Sequence, residues 1–209
     1  VAAIQTLALG QQFQGDALID ARARFFREAE TAGRLQHPNI VPVYSLQEDE
    51  TTGLAAFCMP YLGRATLADV LDHVFAQNTL PVRARAILDA IATVRDDAAT
   101  KDAPAALPFL RRTSYVNGVI HIAAQLADGL AHSHGRGIYH RDLKPSNVLI
   151  TPEGKPLLLD FNLSVEAGLP AWKIGGTLPY MAPEELGYLN GQAQGSRVRH
   201  YDPRSDLFS

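Results

Sequence analysis

The sequence predicts an α+β protein of two unequal lobes, and three features carry that reading. Residues 1–62 hold short runs of strand character around one amphipathic helical stretch. Helical periodicity dominates residues 63–209. The composition is that of a packed globular chain, with 46% apolar, 20% charged and 8% aromatic residues over 209 positions, enough for one large domain or two small ones. A strand-rich part followed by a helix-rich part leaves a cleft between lobes.

The elements follow in order. Val1 to Leu9 is rich in branched and small apolar residues and predicts a strand. Gly10 to Gly15 is turn-like. Asp16 to Gln36 predicts a helix, because Leu18, Ile19, Phe25, Phe26, Ala29 and Ala32 form one apolar stripe; Pro38 ends it. Ile40 to Leu46 and Leu54 to Pro60 predict a strand pair joined by the polar turn Gln47 to Gly53. Thr66 to Phe75 predicts a short helix, with Thr66 or Asp69 near its start. Pro81 is expected to open a helix carrying Ile87, Ile91 and Val94, and Asp96 to Pro104 an exposed loop. Tyr115 to His134 predicts the longest helix, with Val119, Ile122, Ala123, Leu126 and Leu130 inward and Gly135 at the C-cap. Beyond Ile138 very short apolar runs alternate with polar turns.

Composition also excludes. Sixteen glycines, thirteen prolines and a single cysteine, Cys58, rule out collagen-like, low-complexity and disulfide-scaffold classes. A lone thiol closes no internal disulfide, so a reducing, cytoplasmic setting is expected. No apolar run reaches the roughly 18 residues of a membrane span. The net charge of -3 gives no argument for nucleic acid or an anionic membrane surface.

The chemistry concentrates in His140-Arg141-Asp142-Leu143-Lys144-Pro145-Ser146-Asn147, followed by Asp160-Phe161-Asn162. Phosphoryl transfer needs divalent cations on oxygen ligands and an acceptor oriented in line. Asn147 and Asp160 supply metal-binding oxygens, Asp142 can take the acceptor's proton, and Lys144 can neutralise the transferred group. Val148 to Ile150 and Leu157 to Leu159 read as a hairpin, turned at Thr151 to Lys155, that brings Asn147 and Asp160 together and aims Leu149 at a nucleotide base.

On these residues the chain resembles the eukaryotic-like serine/threonine protein kinases, most closely in wording their bacterial members. Gly176 to Met181 and Ala182-Pro183-Glu184 match the substrate-facing loop and the end of the activation segment. The resemblance implies the two-lobed kinase fold: a partial small lobe and hinge over 1–62, a partial large lobe over 63–209, and an insertion at about 77–114 read as a solvated loop. It implies ATP, Mg2+ and a protein substrate, with no nucleic acid and no membrane segment in this chain. Asp142 is the implied base, and Arg141 the residue able to meet a phosphate. Lys144 is the γ-phosphate contact, and Asn147 and Asp160 the metal ligands. Gln5, Glu28, Met59, Tyr61, Leu62 and Leu149 line the nucleotide side, Glu28 as the helix glutamate and Met59 to Leu62 as gatekeeper and hinge. Asp206 resembles the aspartate that braces the catalytic loop.

Departures from the pattern matter. No Gly-x-Gly-x-x-Gly occurs, so the resemblance implies a domain truncated at both ends. Gln5 stands where the strand lysine is expected and carries no charge, which opens an alternative: a pseudokinase that binds nucleotide or a partner as a signalling module. Asn162 replaces the usual glycine and tolerates left-handed backbone. Between Asp160 and Thr177 the single hydroxyl is Ser164, so activation by phosphorylation within this segment is not expected, and Thr177 is assigned the structural role. Glu184 is expected to lack its arginine partner within this chain. Cys58 is expected to be a buried small hydrophobe, His132 and His134 to sit near helix-end carbonyls, and His140 to be packed in the core.

Overall fold

The computed structural model describes residues 2–8, 23, 25–26, 29–49, 54–76, 79–94, 107–161, 165–166, 177–189 and 202–209. An antiparallel sheet of order β1-β3-β2 forms the small lobe, from β1 (Ala2–Ala8), β2 (Ser45–Asp49) and β3 (Leu54–Pro60). Alternation along β3 turns Ala55 and Phe57 inward, where Phe57 meets Phe25 of the helical stretch at 5.0 Å between ring centroids. That stretch is described at 25–26 and 29–33 and stops before the predicted Gln36. The Arg34 amide is shared between the Glu30 and Thr31 carbonyls, and Leu35 turns into the large-lobe core.

The second strand is displaced from its expected place. Residues 40–43 stay outside the sheet, because Ile40 bridges Leu158 and the Val41 amide donates to the Leu158 carbonyl at 3.1 Å, and the Tyr44 amide meets the sheet at the Cys58 carbonyl at 2.8 Å. Pairing with β3 therefore starts at Ser45 and runs through the polar Gln47–Asp49, which an edge strand accepts.

The large lobe begins with the helix Leu67–Phe75. Its capping box is complete: the Asp69 amide donates to Thr66 Oγ1, and the Thr66 amide donates to Asp69 Oδ2 at 2.8 Å. The next helix, Arg85–Val94, opens four residues after Pro81, because the chain before it runs extended along 113–115, with Ala84 donating to the Thr113 carbonyl and Tyr115 to that of Val82. Of residues 77–114, the described part is not a solvated loop. Ala84, Ile87, Ala90, Ile91 and Leu110 are buried in the main core, since their spacing gives two short helices an apolar face. Asp96 to Pro104 lies outside the described residues.

The helix Tyr115–His134 has its predicted bounds, capped by Ser114. Its inward stripe is Gly118, Ile122, Gly129, Leu130 and Ser133, with Leu126 partly buried, whereas Val119 and Ala123 are exposed. The stripe rotates because the glycines are where other parts of the chain come closest. A Cβ on Gly129 would lie 3.3 Å from the Asn39 carbonyl, and one on Gly118 only 2.6 Å from the Ala84 Cβ. Gly135 is the C-cap in right-handed conformation, and the left-handed residue is Gly137.

Short elements complete the lobe: β4 (Ile138–Tyr139) pairs with β7 (Val165–Glu166), and β5 (Val148–Ile150) with β6 (Pro156–Leu158). Helices Pro183–Leu189 and Arg204–Phe208 follow. No helix among the described residues is long and apolar enough to cross a membrane.

Two glycine substitutions separate these effects. Gly118→Ala forces Ala84 and its helix to shift and is expected to destabilise by about 1–3 kcal/mol. Gly33→Ala, helical and open on all sides, is expected to stabilise by about 0.5–1 kcal/mol. Urea denaturation midpoints check both.

Candidate active site

The loop from His140 to Asn147 is held by a single buried carboxylate. Asp206, 1% exposed, accepts the Arg141 amide at 2.7 Å on Oδ1, and the His140 amide at 2.9 Å with His134 Nε2 at 2.7 Å on Oδ2. Burial alone would push Asp206 up; the bonds from His134, Arg141 and His140 outweigh it and hold the carboxyl below its usual value. The brace expected of Asp206 is thus present. His134 is its partner rather than a helix-end carbonyl ligand, whereas Arg136 meets both the His132 ring and its carbonyl. His140 is fully buried as expected; its Nε2 donates to the Leu159 carbonyl at 2.8 Å, and its ring lies 4.8 Å from that of Phe161. Burial pushes this imidazole down, so it is neutral at pH 7.

Among the described residues, the non-glycine residues with positive φ are Arg141 (68°) and Asp160 (57°), both in this loop system. Such backbone costs of order 1–3 kcal/mol per residue and persists where surrounding contacts over-determine it. Here Asp206 fixes Arg141, and the His140–Phe161 packing fixes the residues on either side of Asp160.

Asp142 is gripped from two sides. Its Oδ1 accepts Thr177 Oγ1 at 2.9 Å and its Oδ2 accepts Lys144 Nζ at 2.8 Å, while the same ammonium donates to Thr177 Oγ1 at 2.8 Å. Asn147, buried, donates through Nδ2 to the Asp142 carbonyl at 2.8 Å and lies 3.4 Å from Oδ2. Its amide oxygen is the end left for a ligand. The predicted hairpin forms one residue earlier on its return strand, and the Leu159 amide donates to the Asn147 carbonyl at 2.9 Å, which brings Asn147 and Asp160 to one end. Burial raises Asp160, opposed by His140 and Lys144 and reinforced by Asp142. A half-buried carboxylate so placed is poised to gain from a cation.

The donor set fits a hard divalent cation: one carboxylate and one amide oxygen, with Asp142 beside them. Among the described residues no group of three or more His, Cys, Asp or Glu is arranged to hold a metal. Two protein oxygens suit an ion that also binds phosphates.

Next to this end lies an apolar patch. Val41, Leu149 and Leu157 form its buried floor, with Met59, Leu62 and Leu159 packed against it, and Tyr61 is half-buried nearby in the chain. Gln5 sits in β1 opposite Phe57 of β3; its side chain is outside the described residues, as are Glu28, Gly10 to Gly15, Asn162, Ser164 and Trp172. Cys58 is half-exposed rather than buried, because it alternates with the inward Ala55, Phe57 face. Glu184 accepts Ser205 Oγ at 2.6 Å. Glu185 escaped the sequence reading: it is buried, accepts the Ala182 amide at 3.2 Å and shares a cavity wall with Arg141, Asp142 and Thr177. A second glutamate directly after Ala-Pro-Glu was the available signal.

The sequence pattern of the protein kinase domain matches residues 111–209. The chain is similar to the DNA damage-responsive serine/threonine-protein kinase of Deinococcus radiodurans, 33% identical over 196 residues, covering 90% of this chain and 22% of that protein. It is 29% identical over 196 residues to a probable serine/threonine-protein kinase of Streptomyces coelicolor, again covering 90% and 22%. A serine/threonine-protein kinase of Myxococcus xanthus is 29% identical over 199 residues, covering 90% of this chain and 28% of the relative. The chain therefore spans about a quarter of the length of the curated relatives it matches.

Asp160 is a place where binding chemistry opposes stability. Its pKa is raised on folding, so ionisation at neutral pH costs stability, and the cost disappears as pH falls below the ordinary carboxyl value of 3.8. Asp160→Asn keeps the shape and tolerates φ of 57°. It is expected to raise stability at pH 7 by up to about 1 kcal/mol, a gain that vanishes near pH 3. Denaturation midpoints at the two pH values, against the parent, test this.

Proposed function

The chain belongs to the protein kinase family, and we propose on that premise that the full-length protein is an ATP-dependent serine/threonine kinase, with Asp142 as its catalytic base. One observation carries the reading. The Asp142 carboxylate is oriented by Thr177 on one oxygen and Lys144 on the other, with Asn147 against it. A base with this support accepts a hydroxyl proton in a fixed direction. Lys144 stands ready to meet a transferred phosphoryl group as a point charge. Thr177, from the substrate-facing loop, ties that loop to the base, so a peptide held there presents its hydroxyl to Asp142.

Asn147 and Asp160 would hold the divalent cation, for which we favour Mg2+, and when bound it supplies the positive charge that offsets negative charge building on the phosphates. The patch of Val41, Leu149, Leu157, Met59 and Leu62 would take the adenine, with hinge backbone near Tyr61 giving polar contacts. No cluster of basic residues points to another substrate class, and the Gly176 to Glu184 segment favours peptides over small molecules.

The test is radiolabelled phosphate transfer from ATP by the full-length protein. Asp142→Ala is expected to lower kcat by about 10²–10⁴-fold, and Thr177→Val by roughly tenfold through the loss of one orienting hydrogen bond. Transfer that survives Asp142→Ala would remove Asp142 from this role. A parent protein that is silent until Gln5→Lys restores transfer would favour the binding-module alternative.

A further inference from the structure

We propose that the stacked imidazoles of His37 and His132 form a proton-sensitive latch, holding the 37–41 turn and the β5–β6 hairpin against the Tyr115–His134 helix. The rings lie 4.9 Å apart between centroids at 41°. His37 Nδ1 accepts the Asn39 amide at 3.1 Å, and His37 Nε2 reaches Asp128 Oδ2 at 3.3 Å. His132 Nδ1 faces Arg136 at 3.3 Å, and arginine can only donate. Both Nδ1 atoms are therefore acceptors, and the His132 ring is neutral in this arrangement.

A second proton has no acceptable place on His132, where it would set an N–H against the Arg136 guanidinium. His132 Nε2 is buried and has no hydrogen-bond partner among the described residues, so no acceptor compensates there. The charged groups facing the pair are Asp128 from the same helix and Arg136 from the turn after it. Asp128 is 73% exposed, so its attraction for a charge on His132 is largely screened. Burial, then Arg136 and His37, push His132 down, against a smaller upward pull from Asp128.

What the latch holds is specific. Asn39, buried, donates through Nδ2 to the Pro156 carbonyl at 2.8 Å and to Gln125 Oε1 at 3.2 Å, and its carbonyl accepts the Leu158 amide at 2.8 Å. Losing the His37–Asn39 bond releases the amide next to these contacts. The sign follows from His132: its folded pKa lies below the ordinary 6.5, so the latch is fully made above pH 6.5 and opens as pH falls below it. The inference is independent of the kinase reading, since it concerns the opening of a turn.

The test is hydrogen–deuterium exchange of the full-length protein at pH 7.5 and 5.5, with intrinsic exchange rates divided out, read at the amides of Asn39, Val41 and Leu158. Protection in the parent is expected to fall by up to about tenfold at the lower pH, because pH 5.5 lies about one unit below the ordinary imidazole value. In His132→Phe, which keeps the ring contact and cannot charge, the fall should shrink to less than about threefold. Equal protection of the parent at both pH values overturns the latch, whether or not the variant folds. Equal pH-dependent losses in parent and variant overturn the role of the pair.

Discussion

One buried carboxylate organises the loop from His140 to Asn147. Asp206 is almost wholly removed from water, and an isolated charge there would cost several kcal/mol. It is kept ionised by two backbone amides and an imidazole, each from a residue more than sixty positions away in sequence. Those donors are useful only if His140 and Arg141 present consecutive N–H groups to one side, and Arg141 does so by adopting left-handed backbone. The hydrogen bonds that this backbone makes possible offset both the strain at Arg141 and the desolvation of Asp206. Once consecutive amides are pinned, the direction in which Asp142 leaves the loop is fixed as well.

That division of labour separates structure from chemistry. Asp206 has its hydrogen bonds satisfied within the fold and is held low; Asp160 has no donor of comparable strength among the described residues and is held high. Two aspartates buried to different ends therefore fall into different roles by environment alone. The carboxylate that the fold leaves unsatisfied is the one with something to gain from an external cation. Asp142 has lysine and threonine contacts that orient it without enclosing it.

Much of this was legible in the sequence, for a physical reason. The catalytic loop and hairpin are set by local chemistry: an eight-residue motif, apolar runs of strand length, and a turn with Gly154 at φ of 92°. The capping box at Thr66 and the bounds of Tyr115–His134 are equally local. What the sequence hid depends on partners far along the chain. The strand at 45–49 starts late because Ile40 and Val41 are taken by Leu158, and the long helix turns Gly118 inward because Ala84 waits there. Hydropathy ranks Val119 above Gly118 for burial; the close approach of the Ala84 methyl to the helix reverses the order. His134 could be tied to Asp206, and His37 to His132, only once the fold had set them side by side.

The β5–β6 hairpin shows how far such dependence extends. Each strand has three residues, too few to be stable as an isolated pair. Its edges are instead completed by two other parts of the chain. Ile40 and Val41 join at Leu158, the Ile150 amide donates to the Ala65 carbonyl at 2.8 Å, and Thr66 bridges Leu149. Gly129 of the long helix brings its backbone down onto Leu158 and Asn39. The separation of Asn147 from Asp160 is therefore set less by the turn between the strands than by these neighbours. It follows that residues 40–41, through Leu158, and the start of the Leu67–Phe75 helix, through Ala65 and Thr66, bear directly on the hairpin that carries Asn147 and Asp160 at one end. A displacement of either element reaches that end through the hairpin, whereas the amides of His140 and Arg141 at the other end of the 140–147 loop are held by Asp206.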